Sequence, residues 1–185
     1  VTGPECTGKT TLAARLADYF HARWVPEFAR EYAARVARPL TVDDVEPIAR
    51  GQMALEDAAL NWGVGGRGSG VGDLPPRSDT RHPTPNTRSL LILDTDLIST
   101  VVYSRHYYGQ CPQWIEEAAR RRKADLYLLT SVDVPFMPDE VRDSAAARDI
   151  LYNEFAATLA EYEATVVGIA GDWEERFAAA IQAAR

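Results

Sequence analysis

Apolar residues along the chain fall into two recurring patterns. Short unbroken runs read as buried strands: residues 90–93 (Leu90-Leu91-Ile92-Leu93), 126–129 (Leu126-Tyr127-Leu128-Leu129) and 166–170. A shorter extended run, Arg23-Trp24-Val25, is ended by Pro26. Between these runs the apolar positions return at helical spacing, as with Leu12, Leu16, Tyr19 and Phe20. The pattern predicts helices over 10–21, 28–37, 47–61, 97–107, 112–122, 145–162 and 173–184, with Thr41 as a cap and Pro47 in a first turn. Continuous apolar strands alternating with helices predict an α/β fold with a parallel sheet covered on both faces.

One stretch breaks the alternation. Residues 63–88 carry a cluster of glycines, then Pro75, Pro76, Pro83 and Pro85, with few apolar side chains between. Such a stretch has too little apolar surface to offset its ordering entropy, so a flexible surface insertion is expected. It contains a G-x-G-x-x-G (Gly63, Gly65, Gly68), but a dinucleotide fingerprint needs a strand before and a helix after. Here a helical pattern precedes and Pro-Pro follows. The match is discounted.

The length, 185 residues, suits a single α/β domain. A net charge of −7 argues against a nucleic-acid-coating protein, which needs a basic stripe. Cys6 and Cys111 stand far apart with no Cys/His cluster, so neither zinc nor a disulfide framework is indicated, and a cytoplasmic setting is expected. No apolar run approaches a membrane span. The chain opens on Val1-Thr2, which reads as the end of a strand whose start is expected upstream.

The most specific feature follows at once. Gly3-Pro4-Glu5-Cys6-Thr7-Gly8-Lys9-Thr10 is a full G-x-x-x-x-G-K-[ST] phosphate-binding loop leading into helix-forming sequence at Thr11. Gly3 and Gly8 let the backbone curl so that successive amides face phosphate oxygens, and the positive end of the next helix adds to that anion site. Lys9 is placed for the outer phosphates and the Thr10 hydroxyl for Mg²⁺. Glu5 and Cys6 take free positions within the loop, Cys6 as a packing residue. The expected second element is a carboxylate at the end of a buried strand, supplied by Ser89 to Asp96. Asp94 would stand beside the metal shell, and Asp96 would either face the same crevice or cap the following helix. A guanine-reading N/T-K-x-D is absent; the equivalent stretch is Thr130-Ser131-Val132-Asp133.

The segments GPECTGKTTL, WVPEFAREY, GQMALEDAAL, LLILDTDLIST, YSRHYYGQCPQWI, DLYLLTSVDVPFMPDEVRD and the terminal GDWEERFAAA resemble, in order and spacing, the ribosylnicotinamide kinase domain of NadR-type proteins, a P-loop family of AAA-like character. The resemblance covers nearly the whole chain outside the insertion. It implies a nucleoside/nucleotide-kinase-like fold with a five-stranded parallel sheet and a lid over 138–148. It also implies ATP- and Mg²⁺-dependent phosphorylation of nicotinamide riboside. In many such proteins an adenylyltransferase domain accompanies the kinase. No H-x-x-H or H-x-G-H occurs among His21, His82 and His106, so that partner is expected upstream or in another chain.

Phosphoryl transfer rests on positioning and charge neutralisation, and the remaining candidates divide by those tasks. Glu27 resembles the carboxylate that nucleoside kinases place near the substrate 5′-hydroxyl, and it or Asp96 would be the base. Arg30, one turn on, would hold Glu27 or the transferring phosphate. Arg142, with Arg148, would close from the lid onto the γ-phosphate. The pyridinium cation of nicotinamide riboside suits aromatic faces, with Tyr103, Tyr107, Tyr108 and Trp114 near Gly109 and Trp24 after the first helix as candidates. For each of these the competing reading is a packing aromatic, and for His106 a structural histidine. The run Arg120-Arg121-Arg122-Lys123 reads as a solvated helix face. A different class of function is an ATP-binding sensor with little turnover; acceptor-side carboxylates and a lid arginine argue for the enzyme.

Overall fold

The helices and strands predicted from the pattern are found in the computed structural model, which describes residues 1–61, 90–134 and 145–185. In chain order these are α1 (Lys9–Phe20), β1 (Arg23–Val25), α2 (Phe28–Val36), α3 (Val45–Asn61), β2 (Leu91–Leu93), α4 (Leu97–Tyr108), α5 (Gln113–Arg122), β3 (Tyr127–Thr130), α6 (Ala145–Glu161), β4 (Val166–Ile169) and α7 (Trp173–Ala183). Pro47 sits in the first turn of α3, where its missing N–H breaks no helical bond. The expected insertion at 63–88 and most of the expected lid, Arg142 included, lie outside the described residues.

The strands pair in parallel as two ladders, β1 with β2 and β3 with β4. Val1-Thr2 lies between them. The Val1 amino group donates to Leu93 O (2.7 Å) and Val1 O accepts from Thr95 N (3.0 Å). On its other side Thr2 N donates to Leu128 O and Thr130 N to Thr2 O, each at 2.9 Å. This segment forms an isolated parallel bridge, Thr2↔Leu129, rather than a strand. The ladders therefore form two two-stranded sheets and not the single five-stranded sheet expected, because the residues that join them are too few to register as a fifth strand.

Side chains on β3 alternate between faces, as the pleat requires. Tyr127 and Leu129 join a core with Ala49 of α3, Val101 of α4, Ile115 of α5 and Phe155 of α6. Leu128 points the other way and meets Leu12 and Leu16 of α1, Ile92, Ile169 and Ala180 of α7. Helices thus cover both faces. Truncating Leu16 or Phe155, each fully buried, would cost about 3–5 kcal/mol. No helix among the described residues is long and apolar enough to cross a membrane.

Candidate active site

The phosphate-binding loop is built by two left-handed glycines and one threonine. Gly3 has φ +135° and approaches β3 so closely that a Cβ would lie 2.7 Å from Thr130 Oγ1. Gly8 has φ +81° and serves as the N-cap of α1. A glycine N-cap offers no side-chain acceptor, so the first-turn amides of α1 are left for an anion. Thr7 Oγ1 donates to Pro4 O (2.8 Å) and pairs with Thr130 Oγ1 (2.7 Å), which holds the curl shut from within. Cys6 is also left-handed, at φ +55°. Thr10 is half-buried and Thr11 exposed on α1.

Lys9 is buried, and its Nζ donates to Pro4 O (2.5 Å) across the loop. Burial lowers its pKa below the ordinary lysine value, against the opposing pull of Glu27, Asp94 and Glu5. These carboxylates mark the polar wall of the site.

The end of β2 supplies two of its carboxylates. Asp94 N donates to Val25 O (2.8 Å), so Asp94 follows directly on the β1–β2 ladder. Its side chain is 1% exposed and Oδ1 has no hydrogen-bond partner in the structure. A buried, unsatisfied carboxylate oxygen is costly unless something cationic meets it. Together with the half-buried Thr10 hydroxyl, this oxygen suits a divalent cation. Thr95 adopts φ +68°, a left-handed conformation costing a β-branched residue about 1–3 kcal/mol. That strained residue turns the chain from β2 into α4.

Asp96 is committed to the fold. Its Oδ1 accepts from Ile98 N (3.0 Å) as the N-cap of α4, and Oδ2 accepts from the Tyr127 hydroxyl. Burial raises its pKa, with the Tyr127 bond opposing the shift. The cap reading of Asp96 is thus realised, though it also lines the cavity described below.

Glu27 stands at the N-cap position of α2, and its placement depends on α3. Phe28 N donates to Gln52 Oε1 (3.0 Å), and the Phe28 ring fits against Gly51, where a Cβ would lie 2.0 Å from Cε1. Nothing but glycine leaves room there. Gln52, itself buried, donates on to Glu56 (3.3 Å). Arg30 reaches Glu27 at 3.3 Å, but its side chain is 68% exposed, so the pair contributes little to stability. Beyond α2 the loop wall is fixed by Asp44, which pairs with Arg38 (2.7 Å) and accepts from Tyr32 (2.8 Å) and Thr41 N (2.8 Å). The Arg38 bonds hold its carboxyl well below the usual range.

Part of this framework lines one cavity of about 770 Å³, while Thr10 and Asp94 are not among its lining residues. Glu5, Cys6, Lys9, Glu27, Arg30 and Asp96 line it from the loop side, and Tyr103, Tyr107 and Tyr108 from α4. Tyr103 stacks on Tyr107 (6.2 Å between centroids, planes 7° apart). Burial and then the nearby Glu5 and Glu27 carboxylates push the Tyr103 hydroxyl pKa well up. His106, on the same helix, bonds Glu154 at 2.8 Å.

Trp114 does not line the cavity. It faces the α4–α6 core one residue into α5, with the Arg50 guanidinium 4.4 Å over its ring. Trp24 is half exposed on β1 and is likewise outside the lining. Arg148 is buried and donates to Val132 O (3.0 Å) and Val134 O (3.2 Å), anchoring the start of α6. Arg142 lies outside the described residues.

Sequence reasoning missed Gln52, Gly51, Trp173 and Arg176. Gly51-Gln52 inside a helical pattern was the only visible signal for the first two. Trp173 packs its ring on Gly8, and the buried Arg176 donates to Thr7 O (3.1 Å). Both belong to α7, opened by a capping box in which Asp172 accepts from Glu175 N (2.9 Å) and Glu175 from Asp172 N (2.9 Å).

Two curated relatives share this arrangement of sequence. The trifunctional NAD biosynthesis/regulator protein NadR of Salmonella typhimurium is 22% identical over 184 residues, 96% of this chain and 39% of its own length. Its Escherichia coli counterpart is 22% identical over 194 residues, covering 100% of this chain and 41% of its own. The chain therefore spans about two fifths of these relatives. Among solved structures, NadR protein in complex with NR superposes with a TM-score of 0.67 at 25% identity, over 98% of this chain and 48% of that one. NadR protein in complex with NAD and AMP-PNP gives 0.66 at 25% identity, over 98% and 46%. The expected resemblance to NadR-type proteins thus holds in sequence and in fold. A family model described as an AAA domain matches residues 1–68 and 76–176, so the chain is a member of that P-loop AAA-domain family.

Proposed function

We propose that this chain is a nucleoside kinase that transfers the γ-phosphoryl group of ATP to the 5′-hydroxyl of nicotinamide riboside, giving nicotinamide mononucleotide. The observation that carries this reading is that Lys9 of the phosphate loop, the Glu27 carboxylate and the α4 tyrosines line a single cavity. Donor and acceptor would thereby meet without leaving it. A pyridinium cation suits the acceptor end, where Tyr103 and Tyr107 present aromatic surface beside Glu5 and Glu27. The NadR relatives supply the acceptor class: one of their structures holds NR and another AMP-PNP. We read the two ladders and the Val1-Thr2 bridge as five parallel segments in the order β1, β2, Val1-Thr2, β3, β4. An adenylyltransferase domain upstream or in another chain, and a cytoplasmic setting, belong to the same proposal.

In this mechanism the loop amides and Lys9 grip the triphosphate and neutralise charge as it shifts onto the bridging oxygen. Thr10 and Asp94 would hold Mg²⁺, which supplies further neutralisation of the phosphate oxygens when bound. Glu27 accepts the proton of the attacking 5′-hydroxyl, and Arg30 steadies that carboxylate. We assign the base to Glu27 because Asp96 has both oxygens engaged by Ile98 and Tyr127. Arg142 would contribute from the lid side, whereas Arg148, buried and bonded to the Val132 and Val134 carbonyls, is given no part in the transfer.

A panel of nucleosides offered with Mg²⁺-ATP tests the acceptor. The reading predicts that the cationic riboside is turned over with kcat/KM at least about 100-fold above neutral nucleosides of similar size, a ratio within reach of a polar, charge-matched pocket. Equal use of adenosine or uridine would refute the pyridinium assignment. ATP binding with no acceptor phosphorylated would favour the sensor.

A further inference from the structure

Arg176 is the largest fully buried side chain of the described residues, at 1% exposure, and no step above uses it. Taking a guanidinium out of water is expensive unless its donors are matched. Here they are matched on three separate pieces of chain. Nε donates to Gly171 O (2.8 Å), Nη1 to Thr7 O (3.1 Å), and Nη2 to Ser131 O (3.1 Å) and to the Asp133 carboxylate. Asp133 in turn accepts from Gly171 N (2.6 Å). One side chain therefore ties the phosphate loop to the end of β3 and to the turn before α7.

The bond to Thr7 has a stereochemical consequence. A trans peptide is planar, so its C=O and the following N–H point in opposite directions. Holding the Thr7 carbonyl toward Arg176 makes the Gly8 N–H point the opposite way, away from Arg176, within the peptide plane. The Trp173 ring packs on the Gly8 Cα, where a Cβ would lie 2.3 Å from it, so glycine is required at that position. Gly8 itself imposes little, since glycine accepts either orientation at small cost. An unanchored peptide there could present a carbonyl to an arriving phosphate instead of an amide.

We propose that Arg176 is a positioning residue for triphosphate binding: it fixes the Thr7–Gly8 peptide so that the Gly8 amide faces the bound phosphate, with Asp133 orienting the guanidinium. The proposal rests on the kinase reading, since that amide matters only if a triphosphate occupies the loop. Arg176 is buried and is not among the residues that line the cavity.

Calorimetric titration of inorganic tripolyphosphate and ATP, together with steady-state kinetics, tests it on Arg176→Lys and Asp133→Asn of the full chain. Lysine keeps the charge but cannot span Gly171, Thr7 and Ser131 together. The expected result for Arg176→Lys is binding of tripolyphosphate weakened about 10- to 100-fold, with KM for ATP raised alike. KM for the riboside and kcat at saturating ATP should stay within about twofold. Asp133→Asn, which leaves the arginine in place, should give the same split at about two- to fivefold, and decides the matter if the lysine variant does not fold. A purely structural role would lower the melting temperature and move both KM values together, and that outcome overturns the proposal. So does wild-type affinity for tripolyphosphate in a folded Arg176→Lys or Asp133→Asn. Failure of the wild-type protein to bind tripolyphosphate or ATP would instead remove the kinase reading, and this inference with it.

Discussion

Lys9 carries its charge where water scarcely reaches, and its energetics follow from that. Burial lowers its pKa, while Glu27, Asp94 and Glu5 pull the other way. A bound triphosphate stabilises the charged form and raises that pKa again. Affinity for ATP should therefore be full below the lowered pKa and fall as the pH climbs through it, earlier than an exposed lysine would allow. Titrations in buffers of different ionisation enthalpy should show net proton uptake on binding at alkaline pH. Lys9→Ala should abolish ATP binding and the uptake with it; uptake that persists in that variant would place the titrating group elsewhere. The two candidate bases separate by the same kind of accounting. Glu27→Gln should lower kcat by about 10²-fold with the melting temperature unchanged, as a general base requires. Asp96→Asn should instead reduce stability by about 1 kcal/mol, because it weakens a helix cap and the Tyr127 bond. A kcat loss confined to Asp96→Asn would reverse the assignment.

At the scale of elements, α3 positions Glu27 and with it the proposed acceptor side. Gly51 accommodates Phe28, and Gln52 satisfies the Phe28 amide, so the start of α2 and its Glu27 are held from a neighbouring helix. Alanine is the better helix former, and on propensity alone Gly51→Ala would gain about 1 kcal/mol. The clash with Phe28 should reverse that sign, leaving a net loss of about 1–3 kcal/mol in denaturant unfolding and a raised KM for the riboside. A stabilised variant would show that the two helices are not closely packed. This contact also marks where sequence reading stops. The helices and strands were legible because each is written in local periodicity: α2 was expected at 28–37 and runs Phe28–Val36, and α7 was expected at 173–184 and runs Trp173–Ala183. The phosphate loop was legible because its chemistry is confined to eight consecutive positions, Gly3 to Thr10. What a helix does at a distance was not. Arg176 reads as one more polar residue on an amphipathic helix, and its partner Thr7 lies 169 residues away. The Tyr127 bond that occupies Asp96 spans 31 residues and left no local trace. Trp114 was grouped with the tyrosines by nearness in sequence, but the turn at Gly109 sends it to the core.

For the molecule as a whole, two cores on opposite faces of the strands hold the loop and the α4 tyrosines against a common cavity. The acidic residues of the lining and the net charge of −7 suit the cationic acceptor proposed above, and the proposed anionic donor would rely on the buried Lys9 and on backbone amides. If donor and acceptor react in that one cavity, phosphorus passes from one to the other without release to water. Phosphorus NMR of the protein with Mg²⁺-ATP and nicotinamide riboside should show ADP and a 5′-phosphomonoester of the riboside rising in equal amounts. ADP accompanied only by inorganic phosphate, or no consumption of ATP, would rule out phosphoryl transfer to the riboside.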